Sequence, residues 1–599
     1  MKMKNIIKVC SVIILMSLVV SCEEDFLGDD FLEAPAKSTL DESTIFSTVD
    51  LAKGAVDGIL EPIGQTNSYR GRFIPYYGFN TDTEYNYSAG DEGSDADLVY
   101  YDAKPNNSRM NTDNNVWAMM YQGIERANIV IRGLRNYGNP EPGTEFGQLL
   151  GAALTYRAVY YADLMKAWGD VPARFEPITS ETLYLPKTSR DTIYKRLIAD
   201  LGEAATLVAW PNETAATTSV ERINKAFVKG FRARLALVSA GFQQYPDGVR
   251  RSNDPDLSVQ KMYQLALEES RDVINSGTVS LIPSFETLWR NYNQEITTAG
   301  RESLWEIPFA DGRGRVLFSF AVRHRSVDQF TGQPRGGSAG PTPTVYYDFD
   351  EDDTRRDVTA VPYQWGTAIE GIAQQELTGI DMWYFGKYRY EWMNRYVTST
   401  NDDGVNLMYM RYAEVLLTAA EAANELEGPG AAAPYLKEIR RRAFPTELHA
   451  EKVDAYVGAL GSKDEMFNAI VEEYKFEFTG EMDRKMDLIR WNLLGEKLDE
   501  EREELENLEN RTGDYANVPT TLYYRYADDG YTLLVYGLNR GETGNPGPEW
   551  SAHPWDQPLD EIINTLYKPG VDPDNRQFWP IWQVFIDASN GMLVNDYGY

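Results

Sequence analysis

The sequence predicts a mainly α-helical fold of helical hairpins, joined to a loop-rich region that carries short β-strands. Three observations point there. Residues 406–424 read NLMYMRYAEVLLTAAEAAN, in which Met410, Ala413, Leu417 and Ala420 fall at i, i+3, i+7 and i+10, the period of one helix face. Comparable stripes recur in succession across polar turns. Against them, the stretches near 69–109 and 277–404 show little period, and the first is crowded with Gly, Asn, Asp and Tyr.

The elements follow in chain order. Lys2, Lys4 and Lys8 precede an apolar run, residues 9–20, that is too short for a comfortable membrane span. It ends in Leu18-Val19-Val20-Ser21-Cys22, and a small residue before Cys at that point resembles a bacterial lipobox. Residues 1–21 therefore read as a signal peptide, Cys22 as the lipidated first residue, and the acid-led residues 22–40 as a hydrated tether. Residues 41–599 read as one globular unit. Cys10 leaves with the leader, so no disulfide or Cys-based site is expected.

Helical periods are expected over residues 43–60, 116–134, 148–166, 188–207, 224–238 and 263–275. Residues 304–309 predict a short strand. Asn406 stands where it can cap the helix after it, and Gly428-Pro429-Gly430 ends that helix. Phe467, Ile470, Val471, Tyr474 and Phe478 mark a further stripe. The acidic residues 499–509 read as a solvated helix end, residues 523–536 as a hairpin around Asp529-Gly530, and the Trp-rich tail as a seal on the core. The helix pairs are similar in kind to tetratricopeptide hairpins, without that repeat's regular consensus.

Two segments carry a family resemblance. RYAEVLLTAAEAAN at 411–424 and EFTGEMDRKMDLIRW at 477–491 resemble, in order and separation, two signatures of the SusD-like (RagB/SusD) lipoproteins. Trp117, Tyr121, Ile124 and Asn128, the turn WGDVP at 168–172, GFNTD at 78–82, the Asp353/Arg355/Arg356 segment and a Lys387-Tyr388-Arg389 strand are similar to other family positions. The resemblance implies a helical scaffold with degenerate tetratricopeptide-type units and export to the outer face of the outer membrane of a Bacteroidetes cell. It implies glycan capture for a SusC-like TonB-dependent transporter, with a peptide or glycopeptide cargo as the alternative. It fixes no ligand residue.

The residues themselves argue for binding rather than catalysis. His324, His449 and His553 form no metal or nucleophile spacing, and Gly312-Arg313-Gly314-Arg315 lacks a phosphate-loop Lys-Ser/Thr and reads as a locally basic turn. Asp348, Asp350 and Asp352 lack the Gly and terminal Glu of a calcium loop. No cofactor is expected, a structural metal is left open, and a secreted glycosidase is the least favoured reading. A net charge of −33 disfavours nucleic acid and, taken globally, favours a neutral glycan over an anionic one. The chain has 38 Tyr and 13 Trp, side chains that cover the flat apolar face of a sugar. Tyr76, Tyr77, Tyr85 and Tyr87 with the edge groups Asn80 and Asp82 form one candidate platform. Trp289 with Arg290, and Trp305, are the others, and Arg70, Arg72 or Arg290 are placed to attract an acidic sugar locally.

Overall fold

The structure is a computed structural model that describes residues 41–65, 67–309, 313–399 and 403–599. The leader, Cys22 and the tether lie outside the described residues.

Helical periodicity decides most of the architecture. The long helices are α1 (Val116–Gly133), α2 (Glu145–Trp168), α3 (Arg190–Leu207), α4 (Lys225–Ala240) and α5 (Val259–Ser276), followed after the loop-rich excursion by α6 (Tyr412–Glu427), α7 (Pro429–Ala443) and α8 (Lys463–Phe478). Each packs on the next from α1 to α5; α6 then packs on α5, and α7 and α8 pack on α6. The helical stack thus resumes where residues 277–405 left it. Polar caps start the helices: Asn115, Thr144 and Asn224 accept from the third backbone N–H beyond them, and Ser462 forms a capping box with Glu465. Gly428, at φ 95°, ends α6, and Pro429 starts α7 at once.

One apolar core runs from Phe46 to Leu593. The tail closes it: Trp579 and Trp582 meet Trp168 at ring-centroid distances of 5.8 and 6.2 Å, and Trp168 meets Trp117 at 5.2 Å. A three-stranded sheet holds the expected hairpin, Thr521–Tyr526 with Leu533–Tyr536, its turn fixed by Asp529 accepting from the N–H groups of Tyr531 and Thr532.

Local readings fail in three places. Asn406 is not a cap: Leu407–Arg411 is a strand paired with Ser303–Ile307, and the Asn406 side chain accepts from Phe309 N at 2.9 Å and donates to Glu306 at 3.1 Å. Lys387-Tyr388-Arg389 lies just beyond the strand Tyr384–Phe385 rather than within it. The acidic segment belongs to a complete helix, α10 (Leu494–Asn510, after α9, Arg484–Trp491), whose Leu498, Glu501, Leu505 and Leu508 form a buried seam.

Candidate functional site

The two signature segments meet in a buried charge network. Arg411, at the start of α6, donates to Glu302 at 2.9 Å, to Glu481 at 2.7 Å and to the Glu477 carboxylate. Arg442 donates to Glu302 at 2.8 and 2.9 Å, and Arg355 donates to Glu477 at 2.9 Å and forms an ion pair with Glu473 at 2.6 Å. Burial opposes ionisation of Glu477, but Arg442, Arg411 and Arg355 outweigh it and hold the carboxyl well below its usual range. Arg490 grips Glu421 through two bonds, at 2.6 and 2.8 Å. These residues hold α6, α7, α8 and α9 together, and none of them lines the cleft described below.

The same frame anchors the aperiodic loop. Asp82 pairs with Arg484, Glu84 accepts from the N–H groups of Gly480 and Met482, and Asn80 donates to the carbonyls of Thr565 and Leu566. The loop then pairs with the second loop region: Glu84–Tyr85 runs antiparallel to Gly340–Pro341, Ser88 N donates to Ser338 O at 3.1 Å, and Thr342 N to Thr83 O at 3.1 Å. Gly340 is required there, because a Cβ would stand 1.9 Å from the Trp383 carbonyl oxygen.

Between these joined loops opens a cleft of about 260 Å³. Arg72, Tyr76, Asp95 and Arg109 line it from the first loop; Arg315 and Phe318 line it from the second. Tyr76 is half-buried, and burial together with the Asp95 carboxylate raises its phenol pKa. Arg109 holds Asp95 by two contacts of 2.6 and 2.7 Å. Arg315 and Arg335 lie over the Phe318 ring, 3.9 and 4.7 Å from its centroid. Gly71, Pro75, Asn86, Ser88, Ser319 and Ser338 complete the lining among the described residues.

Of the sequence candidates, Tyr76 and Arg72 line this cleft, both half-buried. Tyr77 is buried, stacks on Phe73 and donates to the Lys166 carbonyl at 2.5 Å. Tyr85 is buried and bonded to Thr565 at 2.6 Å; Tyr87 is half-buried and donates to Pro341 O at 2.9 Å, along the loop seam. Asn80 and Asp82 are buried structural anchors, not edge groups. Trp289 has no exposed surface: it sits in the helix Phe285–Asn293, packed on Tyr292 and Tyr388 with the Lys387 ammonium 4.9 Å from its ring centroid. Trp305 is equally enclosed, between Phe227 and Tyr409. A fully enclosed ring offers no face to a sugar, so these assignments are corrected. Arg290 is exposed but lies over Trp392 and bonds Glu286, away from the cleft.

Arg109, Asp95, Arg315 and Phe318 were missed. The one sequence signal was the basic turn at 312–315. Other spaces fit a sugar less well. Two small pockets of about 40 and 50 Å³ by Asp163 and Lys166 have room for only a few waters. A groove of about 640 Å³ near Val56 and Val208 is larger, but its one aromatic, Tyr156, is buried.

Two family models match the chain: "SusD family" over residues 286–599 and "Starch-binding associating with outer membrane" over residues 30–237. The chain belongs to the SusD family. SusD-like protein P2 of Formosa agariphila is 27% identical over 509 residues, spanning 80% of this chain and 90% of that protein. SusD-like protein P25 of the same organism is 23% identical over 531 residues, spanning 81% and 90%. A crystal structure of a SusD homologue from Bacteroides thetaiotaomicron superposes with a TM-score of 0.71 at 18% identity, covering 95% of this chain and 100% of that one. Surface glycan-binding protein A from B. thetaiotaomicron, in complex with laminarihexaose, gives 0.60 at 18% identity, covering 92% and 99%. The mainly helical architecture with loop-rich, short-stranded regions is thus the SusD-like fold. Among the described residues of this SusD-family chain, no group of three His, Cys, Asp or Glu side chains can hold a metal ion, and no helix is long and apolar enough to cross a membrane.

Proposed function

We propose that this chain is a cell-surface lipoprotein that binds a glycan in the cleft at Tyr76 and passes it to a SusC-like TonB-dependent transporter in the outer membrane. One observation carries the reading. Two loop regions far apart in sequence are joined into a single open cleft, which presents a half-buried tyrosine beside charged and hydroxyl groups. Such a surface suits a sugar, whose ring has an apolar face and a polar edge. The family assignment and the laminarihexaose complex of a structural relative support it. The leader and Cys22 support the lipid anchor. Binding without turnover is the reading the family assignment supports, and among the described residues the lining of the cleft has one carboxylate, Asp95, held by Arg109, whereas glycoside hydrolysis ordinarily needs two.

The test is affinity electrophoresis of the protein in gels that each contain one purified polysaccharide, with product analysis of the same mixtures. Retardation without new reducing ends supports the proposal. New reducing ends, or binding to peptides alone, contradict it.

A further inference from the structure

A second aromatic surface lies outside the cleft. In the three-stranded sheet, Thr521–Tyr526 is the central strand, with Leu533–Tyr536 on one side and Ser551–Pro554 on the other. Side chains alternate between the two faces of a strand, and directly opposed residues share a face. One face turns inward and is satisfied. Leu522 is in the core, Val535 packs on it, Tyr526 donates to the Gln375 carbonyl at 3.1 Å, and His553 bonds the Thr378 carbonyl at 2.9 Å. The other face holds Thr521, Tyr523 and Arg525, with Tyr536 opposite Tyr523 and Leu534 opposite Arg525. Trp550, one residue before the third strand, joins them. Its ring centroid is 6.5 Å from that of Tyr536, at an interplanar angle of 66°, and the Arg525 guanidinium lies over it at 5.2 Å. Leu534 is exposed, and the rings of Tyr523, Tyr536 and Trp550 are half-buried.

The outward face leaves its polar groups open. Among the described residues, the hydroxyls of Thr521, Tyr523 and Tyr536, the Trp550 indole N–H and the Arg525 guanidinium make no hydrogen bond or ion pair. No strand position on this face carries a carboxylate, in a chain of net charge −33. Single surface hydrophobics are ordinary, but three rings and a leucine on one strand face form a patch. Ring faces interleaved with open donors match a sugar chain, whose rings are apolar on their faces and carry hydroxyls on their edges. The charge matches as well: one guanidinium and no carboxylate suit an uncharged chain rich in hydrogen-bond acceptors. We propose that this face is a second glycan contact, holding a neutral polysaccharide with its sugar rings against Tyr536 and Trp550 and its edge bonded by Arg525 and the tyrosine hydroxyls. It rests on the chain being a glycan binder but not on the cleft, since none of these residues lines the cleft. Two contacts on one molecule hold a long chain more firmly than either alone, because the second binding event is intramolecular.

Affinity electrophoresis with the neutral polymers laminarin, hydroxyethylcellulose, galactomannan and dextran tests it. At least one of them is expected to retard the parent. In that gel Trp550→Ala and Tyr536→Ala each weaken retardation about tenfold with unchanged thermal melting, and Tyr76→Ala combined with Trp550→Ala abolishes it. Calorimetric titration of the parent with a hexasaccharide of the same polymer gives two molecules bound per protein, a measurement that decides the matter even if a variant folds poorly. Parental retardation in both single variants, or one hexasaccharide per protein, overturns the inference and leaves glycan binding at the cleft standing. Retardation by none of the four also overturns it, while retardation by a charged polysaccharide keeps the chain a glycan binder. If the variants keep their retardation but recover less of the barrel transporter in a pull-down, the face meets that protein and the inference is overturned.

Discussion

Arg484 donates three hydrogen bonds to Asp82, Nε to Oδ1 at 2.9 Å and to Oδ2 at 3.2 Å and Nη2 to Oδ2 at 2.5 Å, across 402 residues of sequence, with both side chains almost wholly buried. The pair ties the cleft-forming loop to α9. Removing one partner of such a pair strands the other charge, at a cost of about 3–5 kcal/mol. Asp82→Asn is therefore expected to lower unfolding stability by about that amount and to weaken glycan binding as well. Urea denaturation followed by Trp fluorescence measures the first effect; an unshifted midpoint would show that the loop is held by other means. Burial works against the Asp82 carboxylate, but Arg484 prevails and its pKa falls below the ordinary value. Its contribution is present above the unfolded-state pKa near 4 and fades as pH falls through the lower folded-state value.

Lys485 has the opposite environment. Its ammonium is buried 4.4 and 5.0 Å from the ring centroids of Tyr101 and Tyr77, and burial brings its pKa down to about 7. The unfolded amine holds its proton up to about pH 10. Between pH 7 and about 10 the unfolded chain binds more protons at this site, so the site's contribution to stability rises with pH across that window. Lys485→Met should remove that slope and stabilise the protein at pH 7 by on the order of 2–4 kcal/mol. Stability of variant minus parent, measured from pH 6 to about 10, checks it; a flat difference contradicts the assignment.

Gly340 closes the seam between the loops. Gly340→Ala would place a methyl against the Trp383 carbonyl at 1.9 Å, too close to tolerate without moving backbone. A cost of about 1–3 kcal/mol or more is expected, with the larger loss in glycan retardation because the cleft walls separate. Parental melting and binding in that variant would remove the seam from the account.

The anchor is a separate prediction. Cys22→Ala should move the protein out of the membrane fraction, and the parental N-terminal peptide should carry acyl mass. A parental peptide without acyl mass contradicts the lipid anchor.

How much of this was legible in the sequence depends on distance along the chain. Phe227, Phe231, Leu235 and Val238 reveal a helix because its period is local, and all four are buried on α4. The two signatures were legible for a related reason: Arg411, Glu477 and Arg490 are demanded by the frame of the fold. That role is also why they are silent about the ligand. The candidate site failed in two ways. Phe285, Leu288, Trp289 and Tyr292 form a helical stripe, and that period, rather than the neighbouring Arg290, decides that Trp289 is enclosed. Tyr85 was misplaced for a less readable reason, since its partner Thr565 lies 480 residues away. Arg109, Arg315 and Phe318 become neighbours only when Glu84–Tyr85 pairs with Gly340–Pro341.

The central claim is that the cleft between these loops holds the glycan. A crystal structure of the protein with an oligosaccharide cut from the polysaccharide that retards it tests this most directly. A sugar ring is expected in contact with Tyr76, its polar edge hydrogen-bonded to groups of the cleft wall such as Arg72. A sugar seated instead in the groove beside Tyr156, or anywhere else with the Tyr76 cleft empty at saturation, would contradict it.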